Sequence, residues 1–289
     1  MPLLEVNEDQ IHVIERGSGE PVVFLHAFPL QGAMWDYQLD ALGSSHRCLA
    51  FDLPGFGGSP PPADPKQATM QRWANLVVGA LDQLGVDKAT FVGAAMGGYL
   101  ATAILRHHRD RVARIVLCDT RARSDDAGQV SRRSDQQQQV RNGQEVASLA
   151  KGLLESSLSS GSMARPDLVT YVHALAEGGT PEGWIAALEA MKKRPDSMLV
   201  LRQARTIPSL VMVGELDRVS PIAEARSLRL SLQGELAIIP NVGHLPNVED
   251  PIAFNEALLA FLNPGAAEAE AVEADVAAAE STEADPATE

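Results

Sequence analysis

The sequence predicts an α/β fold, an open, doubly wound, mostly parallel sheet with an inserted helical cap. Three observations predict it. Short apolar runs ending in turn chemistry recur along the chain, as expected of strands buried on both faces of a parallel sheet. Segments with apolar residues at helical spacing separate them. Between about residues 122 and 197 strand patterning gives way to polar, helical sequence. Strand and helix alternating on either side of such an insertion is the pattern of a doubly wound sheet, whose ligands bind at the carboxyl ends of the strands.

The elements follow in order. "PVVFLHAF" reads as a strand, and "HRCLAFD" as another that runs into the glycine-rich turn "LPGFGGS". After the proline-rich "SPPPADP", the stretch "ATMQRWANLVVGALDQLGV" is helical, with Gly85 near its end. "ATFVG" is a strand, "GGYLATAILRHHRDRV" a helix and "VARIVLCDT" a strand. The insertion contains "SDQQQQVRNGQEVASLAKGLLESSL" and "WIAALEAMKKRPDS", and its glutamines, Gln136 to Gln139, read as a solvated helix surface. "IPSLVMVGELD" and "GELAIIPNVGH" are strands followed by polar loops, separated by the helical "PIAEARSLRLSL". "DPIAFNEALLAFL" is the last helix. The expected organisation is a core of residues 1–121 and 198–263, a helical cap of 122–197 and a disordered acidic tail of 264–289.

Composition narrows the function. A chain of 289 residues, 45% of them hydrophobic, can bury a large core. It has no run of about 18 apolar residues and "MPLLEVNEDQ" lacks a basic, then apolar, leader. A cytoplasmic protein without a membrane partner is expected. Cys48 and Cys118 lie in apolar, strand-like runs without metal-ligand spacing and read as buried thiols. The net charge of −14 is mostly a tail effect, since residues 264–289 hold eight acids and no Lys or Arg, leaving the rest at −6. Nucleic acid is excluded as a partner, because binding it needs clustered positive charge. The tail lacks aromatic residues and has almost no large apolar ones, too few to offset its ordering entropy.

The stretch "FVGAAMGGYL", residues 91–100, carries the chemistry. Gly93, Gly97 and Gly98 bracket position 95, where a predicted strand turns into a predicted helix and only small neighbours tolerate the strained central residue. This is the frame of the nucleophile elbow, G-x-S-x-G. Here it reads Gly93-Ala94-Ala95-Met96-Gly97, with Ala95 where a serine is expected. G-x-G-x-x-G is absent and no Lys follows as in a P-loop, so neither phosphate-binding alternative fits. His107 and His108 point to different helix faces without partners at metal-ligand spacing, and no metal is expected.

With "LHAFP", "DLPGFGGS", the elbow, "VGELDRVSP" and "NVGHLPNVEDP" in one order, the chain resembles the α/β-hydrolase superfamily over nearly everything before the tail. "DTRA", "MKKRPDS" and "GHLPNVEDPIAFNEALLAFL" resemble its bacterial 3-oxoadipate enol-lactonase-like subgroup. The resemblance implies Asp217 as the acid of a triad and His244 as its base, with Asp119 as reserve acid because it too ends a predicted strand. It implies an oxyanion hole of the Phe28 and Met96 backbone N–H groups. His26 is implied to be structural and Asp52 and Ser59 to shape their loop, while Ala27 stands where many relatives have Gly. The implied activity is hydrolysis of a small ester, lactone or related acyl compound, without cofactor or metal.

Ala95 leaves two readings. In one, a natural serine has been replaced to silence catalysis. In the other, the alanine is natural, and the protein is either an Asp-His dyad enzyme of the cofactor-free oxygenase or lyase type or a pseudo-hydrolase that binds a small molecule. On either reading the chain as written has little esterase activity.

Overall fold

The apolar runs become a single sheet. The structure is a computed structural model and describes residues 3–7 and 9–264; apart from Pro264, the acidic segment expected to be disordered lies outside the described residues. The strands are β1 (Leu3–Val6), β2 (Asp9–Arg16), β3 (Glu20–Leu25), β4 (His46–Asp52), β5 (Ala89–Ala94), β6 (Val112–Cys118), β7 (Ser209–Gly214) and β8 (Glu235–Ile239). They are ordered β1-β2-β4-β3-β5-β6-β7-β8, parallel from β4 through β8 and antiparallel where β1 meets β2 and β2 meets β4. β5 and β7 are buried at every residue, which is why both read as continuous apolar runs.

The expected fold class is the observed one, with additions at the amino end. The sequence reading has no element before Pro21, whereas the structure adds the antiparallel pair β1 and β2. Only Ile11 and Val13 of β2 are buried, and its polar residues are satisfied by distant groups: His12 Nδ1 lies 2.7 Å from Asp52 Oδ2, and Glu15 accepts from Arg47 Nε at 2.6 Å.

Helices cover both faces: α1 (Asp36–Leu42), α2 (Met70–Gln83) and α3 (Met96–His107) before β6, and α10 (Ile222–Leu232), α11 (Pro246–Glu249) and α12 (Pro251–Leu262) after β7. Between β6 and β7 the described chain is entirely helices and their connections: α4 (Ala127–Arg141), α5 (Val146–Ser157), α6 (Ser160–Met163), α7 (Pro166–Ala176), α8 (Pro181–Lys193) and α9 (Met198–Gln203). Local sequence starts these helices. Asp126 and Gln129 form a reciprocal capping box on α4, and Thr180 caps α8 ahead of Pro181.

One expectation for the insertion is corrected. Gln138 and Gln139 are exposed, but Gln137 is buried, donating to the Ile185 carbonyl at 2.9 Å and to Glu189 at 3.1 Å and accepting from Lys192 at 2.7 Å. A buried amide is tolerated because both its ends are bonded. Among the described residues no helix is long and apolar enough to cross a membrane.

The strand order fixes where a ligand can sit. The chain places β4 on one side of β3 and β5 on the other, so the loops after β3 and β5 diverge at the carboxyl edge and leave a crevice. Phe28 follows β3 and Ala95 follows β5.

Candidate active site

The elbow is built by close backbone approach. A Cβ on Gly97 would lie 2.0 Å from the Leu25 carbonyl oxygen, and one on Gly93 2.3 Å from the Gly97 oxygen, so both positions require glycine. The chain between them turns through Ala95 at φ 47° and ψ −106°, a strained conformation for any residue with a side chain. It is held from the next strand: Ala95 N donates to the Cys118 carbonyl at 2.9 Å and Thr120 Oγ1 donates to the Ala95 carbonyl at 2.7 Å. Met96 then opens α3, and among the described residues neither its amide nor that of Phe28 donates a hydrogen bond.

His26 is fully buried, its Nε2 accepting from Leu53 N at 3.0 Å and its Nδ1 lying 2.9 Å from the Ala27 carbonyl. It ties the loop carrying Phe28 to the end of β4. Asp52 accepts from the Gly32 amide at 2.6 Å and the Gly58 amide at 2.8 Å, and Ser59 Oγ donates to the Asp52 carbonyl at 2.6 Å. Both residues shape loops.

The acid and the histidine come from the other half of the sheet. Asp217 follows β7 and His244 follows β8, with Oδ2 of the first 2.8 Å from Nδ1 of the second, both side chains buried. Gly214 lets the two loops meet, since a Cβ there would lie 1.9 Å from the Gly243 carbonyl oxygen. The other carboxylate oxygen, Oδ1, accepts from the Val219 amide at 2.7 Å and the Ser220 amide at 3.0 Å. Burial pushes the Asp217 carboxyl up, but the hydrogen bond and charge of His244 and these amides outweigh it and hold the group below its ordinary range. It is therefore an ionised acceptor that orients the ring.

Asp119, at the end of β6, completes a cluster: one carboxylate oxygen each of Asp119 and Asp217 and one ring nitrogen of His244 lie within 4.8 Å of one another. Within the described residues this is the group whose spacing could hold a cation, although the Asp217–His244 hydrogen bond already occupies two of its members. Asp119 Oδ1 accepts from the Gly214 amide at 2.9 Å. Burial, and then the charge of Asp217, push this carboxyl well above its ordinary range against the pull of that amide. A proton held more tightly in the folded chain than in the unfolded one stabilises fully below the unfolded pKa, about 3.9, and that stability is lost as pH rises through the folded value. Asp119→Asn keeps the acceptor for Gly214 and removes the titration. Its melting temperature should fall less than that of the parent as pH rises above the unfolded value of about 3.9. Parallel Tm-against-pH curves for the two proteins would contradict this.

The nucleophile position and the histidine face one cavity of about 160 Å³. The core supplies Phe28, Ala95, Met96, Tyr99, Val219 and His244 to its lining. The helical insertion closes it with Arg133 and Gln136 from α4, Leu153, Ser156 and Ser157 from α5, and Met191 from α8. Ala95, Met96, Phe28 and His244 are thus brought together, with Asp217 behind the histidine. Asp119 lies behind as well, and does not line the cavity.

Sequence reasoning missed Glu249. This buried carboxylate accepts from Gly243 N at 2.9 Å and Leu245 N at 3.2 Å through Oε1, and from Ser159 N at 2.9 Å through Oε2. It clamps the turn bearing His244, and the His244 amide itself donates to the Ser157 carbonyl at 2.8 Å. The one signal available was an acid five positions after the histidine.

Comparison with known proteins agrees with this architecture. A family model described as the alpha/beta hydrolase fold matches residues 20–251. Over 246 residues the chain is 26% identical to 3-oxoadipate enol-lactonase 2 of Acinetobacter baylyi, covering 83% of this chain and 88% of that one. It is similar to a solved thermophilic esterase from Thermogutta terrifontis, with malate bound, at a TM-score of 0.83 and 32% identity, covering 89% of this chain and 94% of that one. The enol-lactonase from Burkholderia xenovorans matches at a TM-score of 0.83 and 25% identity, covering 91% of this chain and 100% of that one. Since the likeness spans the sheet, the insertion and the loops at the carboxyl edge alike, the protein belongs to the α/β-hydrolase family, on its enol-lactonase-like side.

Proposed function

We propose that the cavity at Ala95 is an acyl-transfer site for small esters, lactones or related acyl compounds, built on a serine-histidine-aspartate plan and lacking only the serine. The observation that carries this reading is the hydrogen-bonded Asp217–His244 pair beside an elbow whose strained backbone survives at Ala95. In this plan Asp217 orients His244, His244 moves the proton of the attacking group, and the Phe28 and Met96 amides receive the developing oxyanion. Residues 122–197 act as a cap that excludes water and limits the acyl group to a small one, in keeping with a cavity of about 160 Å³. The chain as written binds its ligand without forming an acyl-enzyme, because Ala95 offers no nucleophilic atom.

A second reading draws on the same pair: an oriented, buried histidine is a base without any nucleophile and can remove a proton from a carbon acid or from water. Labelling separates the two. Ala95→Ser protein should be modified covalently by a fluorophosphonate at position 95, with the parent unmodified under the same conditions. A folded variant that resists the reagent would move the function to the dyad or to binding alone.

A further inference from the structure

Tyr99 also lines a second cavity, of about 240 Å³, which the reaction above does not use. Arg106, His107, Arg121, Lys193 and Arg194 all line it, and no Asp or Glu does. The cationic part of "MKKRPDS" folds against the carboxyl end of α3 here, so the positive side chains stand against the partial negative charge of the helix end. The charges are incompletely neutralised. Arg106 makes no ion pair among the described residues, donating instead to the Asp196 carbonyl at 2.6 Å and to Ser197 Oγ at 3.2 Å. Arg121 donates to the Val219 carbonyl, and its buried Nε has no acceptor. Arg194, 6% exposed, pairs with Asp125 at 2.7 Å and lies over the Tyr99 ring at 3.9 Å, and its Nε too is without an acceptor. Lys193 shares Glu189, at 3.2 Å, with Lys192. Burial first, then the neighbouring charges of Arg106 and His108, hold His107 below its ordinary range.

A concave, positive pocket on a chain of net charge −14 concentrates anions locally against the field of the whole molecule. We propose that this pocket binds a small anion, the carboxylate or phosphate group of a low-molecular-weight ligand, at a site separate from the Ala95 cavity. Arg106 and Arg121 are its principal donors, because among the described residues each guanidinium is engaged only by neutral oxygens and can add a charged partner without losing an ion pair. The site does not depend on the reaction assigned to the Ala95 cavity.

The test uses the full chain. Inorganic phosphate and, separately, malonate are titrated by calorimetry at constant ionic strength held with sodium chloride, so that general screening is the same throughout. At least one should bind saturably, and which of them binds more tightly distinguishes a phosphate ligand from a carboxylate one. Arg106→Gln should weaken that binding about tenfold or more, as expected for losing a charged hydrogen bond. Gln71→Glu covers the case in which Arg106→Gln folds poorly: it sets a carboxylate at an exposed position on the pocket wall and should weaken binding in the same direction. His244→Ala should leave the affinity unchanged. No saturable binding of either anion, equal affinity in the parent and in both pocket variants, or loss of binding in His244→Ala would each overturn the proposal.

Discussion

Ala95→Ser should raise hydrolysis of p-nitrophenyl acetate by several orders of magnitude, toward the about two-million-fold in kcat that separates subtilisin from its serine-less form. The expected gain is large because the proposed plan lacks only one oxygen. The elbow holds a Cβ at φ 47°, so the variant adds a hydroxyl without asking the backbone to move. That hydroxyl enters a cavity lined by His244 and by the residues whose amides are uncommitted, Phe28 and Met96. Tyr99 and Met191 line the cavity too, and the Ala95 side chain is only partly buried, so the space for an added oxygen exists. A pre-steady-state burst of nitrophenol measures the acyl-enzyme directly. If folded Ala95→Ser protein showed neither burst nor turnover, the loss would extend beyond the nucleophile.

The second large effect assigns the acid. In the Ala95→Ser background, Asp217→Asn should lower kcat by roughly 10⁴-fold, because an amide in place of the carboxylate presents the wrong partner to Nδ1 and stabilises the wrong tautomer. Asp119→Asn should cost less than about tenfold by comparison. The geometry makes the two carboxyls unequal. His244 and the Val219 and Ser220 amides hold the Asp217 carboxyl below its ordinary range, whereas burial and Asp217 itself push that of Asp119 well above it. A proton on Asp119 also relieves the repulsion that two buried carboxylates would otherwise feel. Should Asp119→Asn prove the more damaging, the acid role belongs to the end of β6 instead.

Which parts of this molecule the sequence discloses depends on how local the cause is. The parallel strands and the turns after them are legible because burial on both faces forces continuous apolar runs, and because the spacing of Gly93, Gly97 and Gly98 marks a sharp turn. Only Gly93 answers to its own turn, however, while Gly97 answers to Leu25 and Gly98 to Thr120. Asp217 and His244 are legible as loop residues after such runs, and their pairing follows from the order of the motifs. β2 is not legible, because Ile14 and Glu15 break its alternation, and its polar residues His12, Glu15 and Arg16 find their partners on β4 and α1. Gln137 reads as surface because the groups that satisfy it lie on α8, about fifty positions downstream. Nor could the sequence show that α4, α5 and α8 supply half of the cavity wall, since that depends on how the insertion packs on the sheet.

The clamp at Glu249 makes the sheet and the insertion mechanically one device at the histidine. One carboxylate grips the His244 turn on one side and the Ser159 amide on the other, while the His244 amide hangs from the end of α5. Lifting that end away from the sheet therefore breaks bonds that hold the His244 turn, so an opened insertion and the present placement of the imidazole exclude each other. Heat resistance of the site is then limited by the weaker of the two bodies: local opening of the α5–α6 segment disarms the histidine while β5 and β7 remain intact. Hydrogen exchange at the His244 amide, set against exchange in β5, reads that margin directly.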